Sequence, residues 1–159
     1  MINNYVMEIE KLKSVGDIIK IEDSKQQSTG LILTTTKGMK IFEWVPKNRW
    51  KDIHRKPNGF SDEEIKSVWD NSMKNISTKL SVNNLLTKND VSIDVLELKG
   101  TYISVDGEPK YYFFGCATKS SVGYNTKKNV VTIKYTHNRI KHHYTLNLSN
   151  GEMERVGKL

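Results

Sequence analysis

The feature that most constrains this chain is the helix start at Ser61-Asp62-Glu63-Glu64, because little else in the sequence reads as helix. Ser61 can cap the first turn, Glu64 can close a capping box, and Asp62 and Glu63 favour the positive end of a helix dipole. Ile65, Val68, Trp69, Ser72, Met73, Ile76 and Leu80 then recur at a spacing near 3.6, which gathers them on one face. A helix over about 61–79 is expected, resuming weakly through Leu85 and Leu86.

On either side the chain runs in short apolar segments bounded by turn residues, the pattern of strands. Tyr5–Ile9 precedes a turn at Val15-Gly16-Asp17, and Ile18–Ile21 follows it. Gly30–Thr36 and Met39–Val45 flank Lys37-Gly38, a hairpin signal because glycine tolerates positive φ, and Pro46 ends the strand. After the helix, Val91–Leu98 leads to Gly100, and Tyr102–Val105 meets Asp106-Gly107, a type I′ turn signal from which Tyr111–Phe114 returns. Asn129–Thr136 and Ile140–Leu148 pair about His137-Asn138-Arg139, and Asn150-Gly151 marks a last hairpin into Met153–Val156. The expected fold class is α+β, a single twisted antiparallel sheet with the main helix packed on one face. At 159 residues and 36% apolar composition, with no repeat and no linker, one domain over 1–159 is expected.

Cys116 is the only cysteine, so no intramolecular disulfide can form, which fits a reducing cytoplasm. Met1–Lys13 lacks the unbroken apolar core of a signal peptide, and no run approaches the ~18 apolar residues of a membrane span. A cytoplasmic protein with no membrane partner is expected. The net charge of +7 is unevenly placed. Residues 1–108 carry 16 basic and 16 acidic side chains, whereas Pro109–Asn150 holds Lys110, Lys119, Lys127, Lys128, Lys134, Arg139 and Lys141 and no acid. His137, His142 and His143 lie in the same stretch. Such a segment attracts polyanions or acidic protein surfaces, unless folding mixes it with acids from elsewhere.

The chemistry-bearing patterns are weak. His137-Asn138-Arg139-Ile140-Lys141-His142-His143 invites comparison with the HNH nucleases, whose chemistry needs a base, a polar orienter and a metal-ligating histidine on a ββα frame. Here the residues straddle a hairpin, no helix follows, and His142 and His143 should point to opposite faces, so a polar hairpin tip is the plainer reading. Glu97-Leu98-Lys99 matches half of a metal-dependent nuclease motif, but its acidic partner would be Asp90 or Asp94 on the same strand. One cysteine and scattered histidines do not make a zinc site, no Gly-rich phosphate loop exists, and Cys116 has no flanking base. No enzyme, cofactor, metal or small-molecule substrate is expected.

Two sets remain as partner-binding candidates. Trp44, Arg49, Trp50, His54, Arg55 and Lys56 form a basic-aromatic group around the aperiodic stretch 46–60, and Trp and Arg often anchor interfaces. The competing reading puts Trp44 in the sheet core and Trp50 over its edge. Tyr111-Tyr112-Phe113-Phe114 should send two rings each way. The outward pair could serve an interface or single-strand stacking, though burial under the helix or a loop is the plainer reading.

In its length and in KIFEWVPKNRWKDIHRKPNGF and YYFFGCATKSSVGYNTKKNVVTIKYTHN, the chain resembles the small anti-CRISPR proteins of phages and mobile elements of Gram-positive bacteria. Among those it looks most like a type II-A inhibitor. The resemblance implies a protein that binds a CRISPR effector nuclease and blocks cleavage sterically in the bacterial cytoplasm. Many such inhibitors are acidic mimics of DNA, and this chain departs from that pattern. A basic inhibitor should engage an acidic surface instead, with the HNH domain a natural candidate. Arg49, Trp50, His54, Arg55, Lys56, Lys127, Lys128, Lys134, Arg139 and Lys141 are the expected contact residues. The alternative is a basic nucleic-acid-binding accessory protein, with nucleic acid a secondary partner in the first reading.

Overall fold

The computed structural model describes residues 15–23, 30–50, 56–74, 82–96, 100–115, 122–137 and 139–156. Its strands are β1 (Ile18–Asp23), β2 (Leu31–Thr35), β3 (Lys40–Glu43), β4 (Val82–Lys88), β5 (Val91–Leu96), β6 (Gly100–Val105), β7 (Glu108–Phe114), β8 (Val122–Asn125), β9 (Val130–His137), β10 (Ile140–Asn147) and β11 (Met153–Arg155). Among the described residues, a short 3₁₀ turn at Lys47–Arg49 and a helix, α1 (Asp62–Lys74), lie between β3 and β4. The mixed α+β content is as expected, but the single antiparallel sheet is corrected. The described residues form two sheets: a seven-stranded one ordered β1-β2-β3-β7-β6-β5-β4 and a four-stranded one ordered β11-β10-β9-β8. In the large sheet β3 and β7 pair in parallel, with Ile41 opposite Tyr112. Two antiparallel meanders, β1–β3 and β4–β7, are thus joined at their last strands, and the segment carrying α1 together with β4–β6 makes the long connection such a parallel pair needs.

The helix begins as the sequence says. The Ser61 N–H donates to Glu64 Oε1 at 3.2 Å and the Glu64 N–H donates to Ser61 Oγ at 3.3 Å, a closed capping box. Ile65 and Trp69 are buried against the large sheet, and Asp70 Oδ1 accepts the Ile18 N–H at 2.8 Å, fastening α1 to β1. The expected extension beyond Lys74 lies outside the described residues up to 81. The resumption through Leu85 and Leu86 is a correction, since both belong to β4. The turn that makes β4 possible is Asn89-Asp90, whose φ values of 54° and 62° are those of a type I′ hairpin. The expected Asp106-Gly107 turn has the same signs, 53° and 81°. The expected strand at Tyr5–Ile9 lies outside the described residues.

The large sheet is covered on both faces. On one, Leu33, Ile41, Trp50, Leu96, Tyr102 and Tyr112 pack with Ile65 and Trp69 of α1. On the other, Phe42, Trp44, Ile93, Ile103 and Phe113 pack with Val131, Ile133, Tyr144 and Leu146 of the small sheet. The layers are therefore helix, large sheet, small sheet. This resolves the aromatic run: Phe113 and Tyr111 face the small sheet, Tyr112 faces the helix side, and Phe114 meets the Trp69 ring edge-on at 5.1 Å. A strand buried on both faces has no polar alternate to show.

Gly30 stands where β2 begins, at φ 97°, and a Cβ there would fall 2.2 Å from the Glu43 carbonyl oxygen across the β2–β3 pair. Gly30→Ala therefore meets both a left-handed backbone and a backbone clash, and is expected to cost about 2–3 kcal/mol in denaturant melts. An unchanged midpoint would contradict this register.

Candidate interaction surface

The small sheet has one buried and one open face, and period-two alternation decides what stands on each. On β9, Val131, Ile133 and Tyr135 pack inward, and on β10, Tyr144 and Leu146 do so, with His142 also buried. That leaves Thr132, Lys134 and Thr136 on β9, and Lys141, His143 and Thr145 on β10, on the open face. Lys134 is paired with His143, Thr136 with Lys141 and Thr132 with Thr145. Opposite Cβ atoms in such pairs lie about 5 Å apart and alternate residues of one strand about 7 Å apart, so Lys134, His143 and Lys141 share one small cell. Lys134 and Lys141 are exposed and His143 is half-buried. Arg139 projects from the β9–β10 turn at φ 65°, exposed at the near end of the face. Lys127 and Lys128 are exposed at the far end, in the β8–β9 turn, where both their N–H groups donate to Asn125 Oδ1 at 3.1 Å. Among the described residues the nearest acid on this side is Glu154 on β11, opposite Thr145.

The buried face holds the small sheet in place. The Trp44 ring stacks on Tyr144 at 5.1 Å and on Tyr135 at 5.2 Å. Arg155 of β11 reaches back under β10, where Nη1 donates to Tyr144 Oη at 2.7 Å and lies 3.3 Å from His142 Nδ1. A guanidinium can only donate, so that imidazole nitrogen accepts. His142 and His143 do point to opposite faces, as the strand reading requires, and His142 is 3% exposed. Trp44 is a core residue.

The second candidate set is not brought to this surface. Trp50 is 1% exposed and packs against Phe60 at 5.8 Å and Trp69 at 6.5 Å, so the expectation of an exposed anchor there is corrected: it is part of the helix-side core. Arg49 is exposed at the end of the 3₁₀ turn. Lys56 is half-buried, lies over the Phe60 ring and pairs with Glu64, which ties it to the helix start. His54 and Arg55 lie outside the described residues. Arg49, Trp50 and Lys56 thus sit on the helix side of the large sheet, and the lysines of β9 and β10 sit beyond its other side.

The remaining motifs separate similarly. Glu97, Lys99 and Cys116 lie outside the described residues. Asp94 is buried on the helix-facing side of β5, where Oδ1 accepts from Asn84 Nδ2 at 2.9 Å and Oδ2 from Ser92 Oγ at 3.0 Å. Asp90 is an exposed turn residue. Among the described residues no cluster of three or more His, Cys, Asp or Glu could hold a metal ion, and no helix is long and apolar enough to cross a membrane. The Glu43 carboxyl is pushed up to about 8 chiefly by burial, against the pull of the Trp44 and Val45 backbone N–H groups. Tyr112 is driven well above the ordinary phenol range, first by burial and then by the Glu43 charge. No family model, no curated protein and no solved structure matches this chain.

The sequence singled out each lysine of the open face but not their arrangement. His143 stands in the sequence within the basic stretch and the HNH-like run, with nothing to link it to Lys134. Its place opposite Lys134 follows from the β9–β10 register, in which Ile140 pairs with His137.

Proposed function

We propose that this chain is a non-catalytic binding protein, that its working surface is the open face of the small sheet, and that its partner is an acidic surface of a type II CRISPR effector nuclease. The observation that supports a binding surface there is the grouping of exposed Lys134, Lys141 and Arg139 with His143, on a face whose nearest described acid is Glu154 at the edge. Charges displayed in this way speed encounter and select complementary partners more than they add raw affinity. The nuclease as partner rests on the resemblance of the segments quoted above. Cleavage centres built from carboxylates around metal ions offer the matching charge, and occupying one would block the docking movement that licenses cleavage.

The face suits a protein better than a nucleic acid. Single-stranded nucleic acid is held by aromatic side chains that stack on bases, and the described residues of this face include no Phe, Tyr or Trp. Of the rings that might have served, Tyr111, Tyr112 and Phe113 lie between layers, and Phe114, exposed, stands edge-on to Trp69 away from this face. Helix α1 presents Asp62, Glu63 and Glu64 in its first turn, which a phosphate backbone would repel.

Purified protein is expected to stop guided DNA cleavage at near-stoichiometric amounts, without turnover. The double variant Lys134→Glu/Lys141→Glu should weaken inhibition by about tenfold or more, mainly through slower association, with its melt unchanged. Unaltered cleavage at large excess across several orthologous nucleases would sink the proposal. Tight binding to target DNA or guide RNA alone, at physiological salt, would move the reading to a nucleic-acid-binding accessory protein.

A further inference from the structure

The β9–β10 hairpin outruns the strands beside it. β8 pairs with β9 only over Val130–Ile133, and β11 pairs with β10 only over Tyr144–Leu146, with one further bond from the Val156 N–H to the His143 carbonyl oxygen at 2.8 Å. The pairs Tyr135–His142, Thr136–Lys141 and His137–Ile140 therefore have, among the described residues, no strand on either edge. Three residues at about 3.4 Å each carry this two-stranded ribbon about 10 Å past its neighbours. Its root is braced. Trp44 stacks on Tyr135 at 5.2 Å, a Cβ at Gly115 would fall 2.9 Å from the Tyr135 ring, and Arg155 Nη1 lies 3.3 Å from His142 Nδ1. A ribbon of two strands has little stability alone, so the braced root is what lets it stand out as a rigid prong. Exposed cations gather on it: Lys134 at the root, Lys141 along it and Arg139 at the apex. Arg139 holds φ 65°, a left-handed conformation that glycine takes freely and an arginine takes at a cost, so the turn itself does not call for that side chain. Among the described residues its guanidinium has no ion-pair partner.

We infer that this ribbon is an insertion prong and that Arg139 is its anchor, entering a concave, carboxylate-lined cleft in the partner protein. The inference rests on the open face being the working surface and narrows it, with the apex as the buried contact and the rows behind it as the rim. A guanidinium forks onto a carboxylate through two parallel N–H···O bonds, and a cleft desolvates those bonds, which is where arginine contributes most to an interface. Lys134 and Lys141 stay nearer the solvent and act on encounter. A two-stranded ribbon also fits the major groove of DNA, but phosphates flank that groove on both sides, and behind Lys134 the open face carries Thr132, Thr145 and Glu154.

The test uses the full chain and compares two readouts. Inhibition of guided cleavage by a type II effector nuclease needs the cleft, whereas calorimetric binding of poly-L-aspartate, a flexible polyanion, reads charge without shape. Arg139→Gly is expected to melt at or above wild type, because glycine relaxes the turn. It should weaken inhibition about tenfold or more, mainly through faster dissociation, and weaken poly-L-aspartate binding by less than about threefold. Arg139→Lys keeps the charge without the fork and should recover only part of the lost inhibition. Lys134→Glu/Lys141→Glu should weaken both readouts. If Arg139→Gly inhibits like wild type and Lys134→Glu/Lys141→Glu does not, the anchor is overturned and the open face stands. If Arg139→Lys inhibits as well as wild type, charge alone suffices and the fork into a cleft is overturned. If both Arg139→Gly and Lys134→Glu/Lys141→Glu inhibit like wild type, the open face falls, and if wild type inhibits none of several orthologous nucleases, the partner falls; either result removes this inference too. Tight binding of duplex DNA at physiological salt that is lost in Arg139→Gly assigns the prong to a groove and overturns the protein cleft.

Discussion

Glu43→Gln is expected to stabilise the protein at pH 9 and leave it nearly unchanged at pH 4. Glu43 ends β3 on the helix-facing side and is 6% exposed, and burial raises its carboxyl from 4.5 to about 8. Between those two values the folded chain holds a proton that the unfolded chain has released. Unfolding therefore releases a proton across that window, and stability falls as pH rises through it. A shift of this size corresponds to stability on the order of 5 kcal/mol, present in full below pH 4.5 and lost by the time the pH passes 8. Glutamine has the same shape, stays neutral, and its carbonyl can still accept the Trp44 and Val45 N–H groups that the carboxylate uses. The measurement is the difference between wild-type and variant melting temperatures from pH 4 to pH 9. A gap on the order of 10 °C should open with rising pH. Parallel profiles, with no opening gap, would show that Glu43 does not carry the proton.

How much of this was legible in the sequence differs element by element. The capping box, the Asp106-Gly107 turn and the β9–β10 hairpin are local, set by residues three or four apart, and each stands as the sequence says. The second sheet was not legible, because nothing local distinguishes β9 pairing within its own sheet from β9 extending the first. What separates the sheets is the inner row Val131, Ile133, Tyr144 and Leu146 stacking over Phe42, Trp44 and Phe113, a contact between segments far apart in the chain. The parallel β3–β7 pair was hidden for the same reason. β4 was misread because Leu85 and Leu86 follow a helical pattern at a tempting spacing, while Asn89-Asp90 lacks the glycine that usually marks a type I′ turn. At the candidate site the charges were visible and their geometry was not: the acid-free stretch shows in composition, whereas the Lys134–His143–Lys141 cell needs the register.

Trp50 is where composition and burial part most sharply, and it carries the other large expected effect. In an aperiodic run of Arg, Lys and Pro, a tryptophan suggests an exposed anchor. Its ring instead closes the helix-side core, edge-on to Phe60 and tilted against Trp69, with the adjoining 3₁₀ turn leaving Arg49 in solvent. Truncation removes most of a large buried side chain and leaves a cavity between α1 and the large sheet, so Trp50→Ala is expected to cost about 3–5 kcal/mol of stability. Arg49→Ala, one residue away, should shift stability by no more than about 0.5 kcal/mol. Both sit on the opposite side of the large sheet from Lys134 and Lys141, so neither should alter inhibition or poly-L-aspartate binding at a temperature where the variant is folded. Trp50→Phe keeps an aromatic ring in the site and should recover part of the loss, which separates packing from any role of the indole at a surface. Thermal melts of the three variants, with binding measured well below each midpoint, decide the matter. Should Trp50→Ala melt like wild type yet lose partner binding, the tryptophan is an interface anchor and the helix-side face, not the small sheet, is where the partner docks.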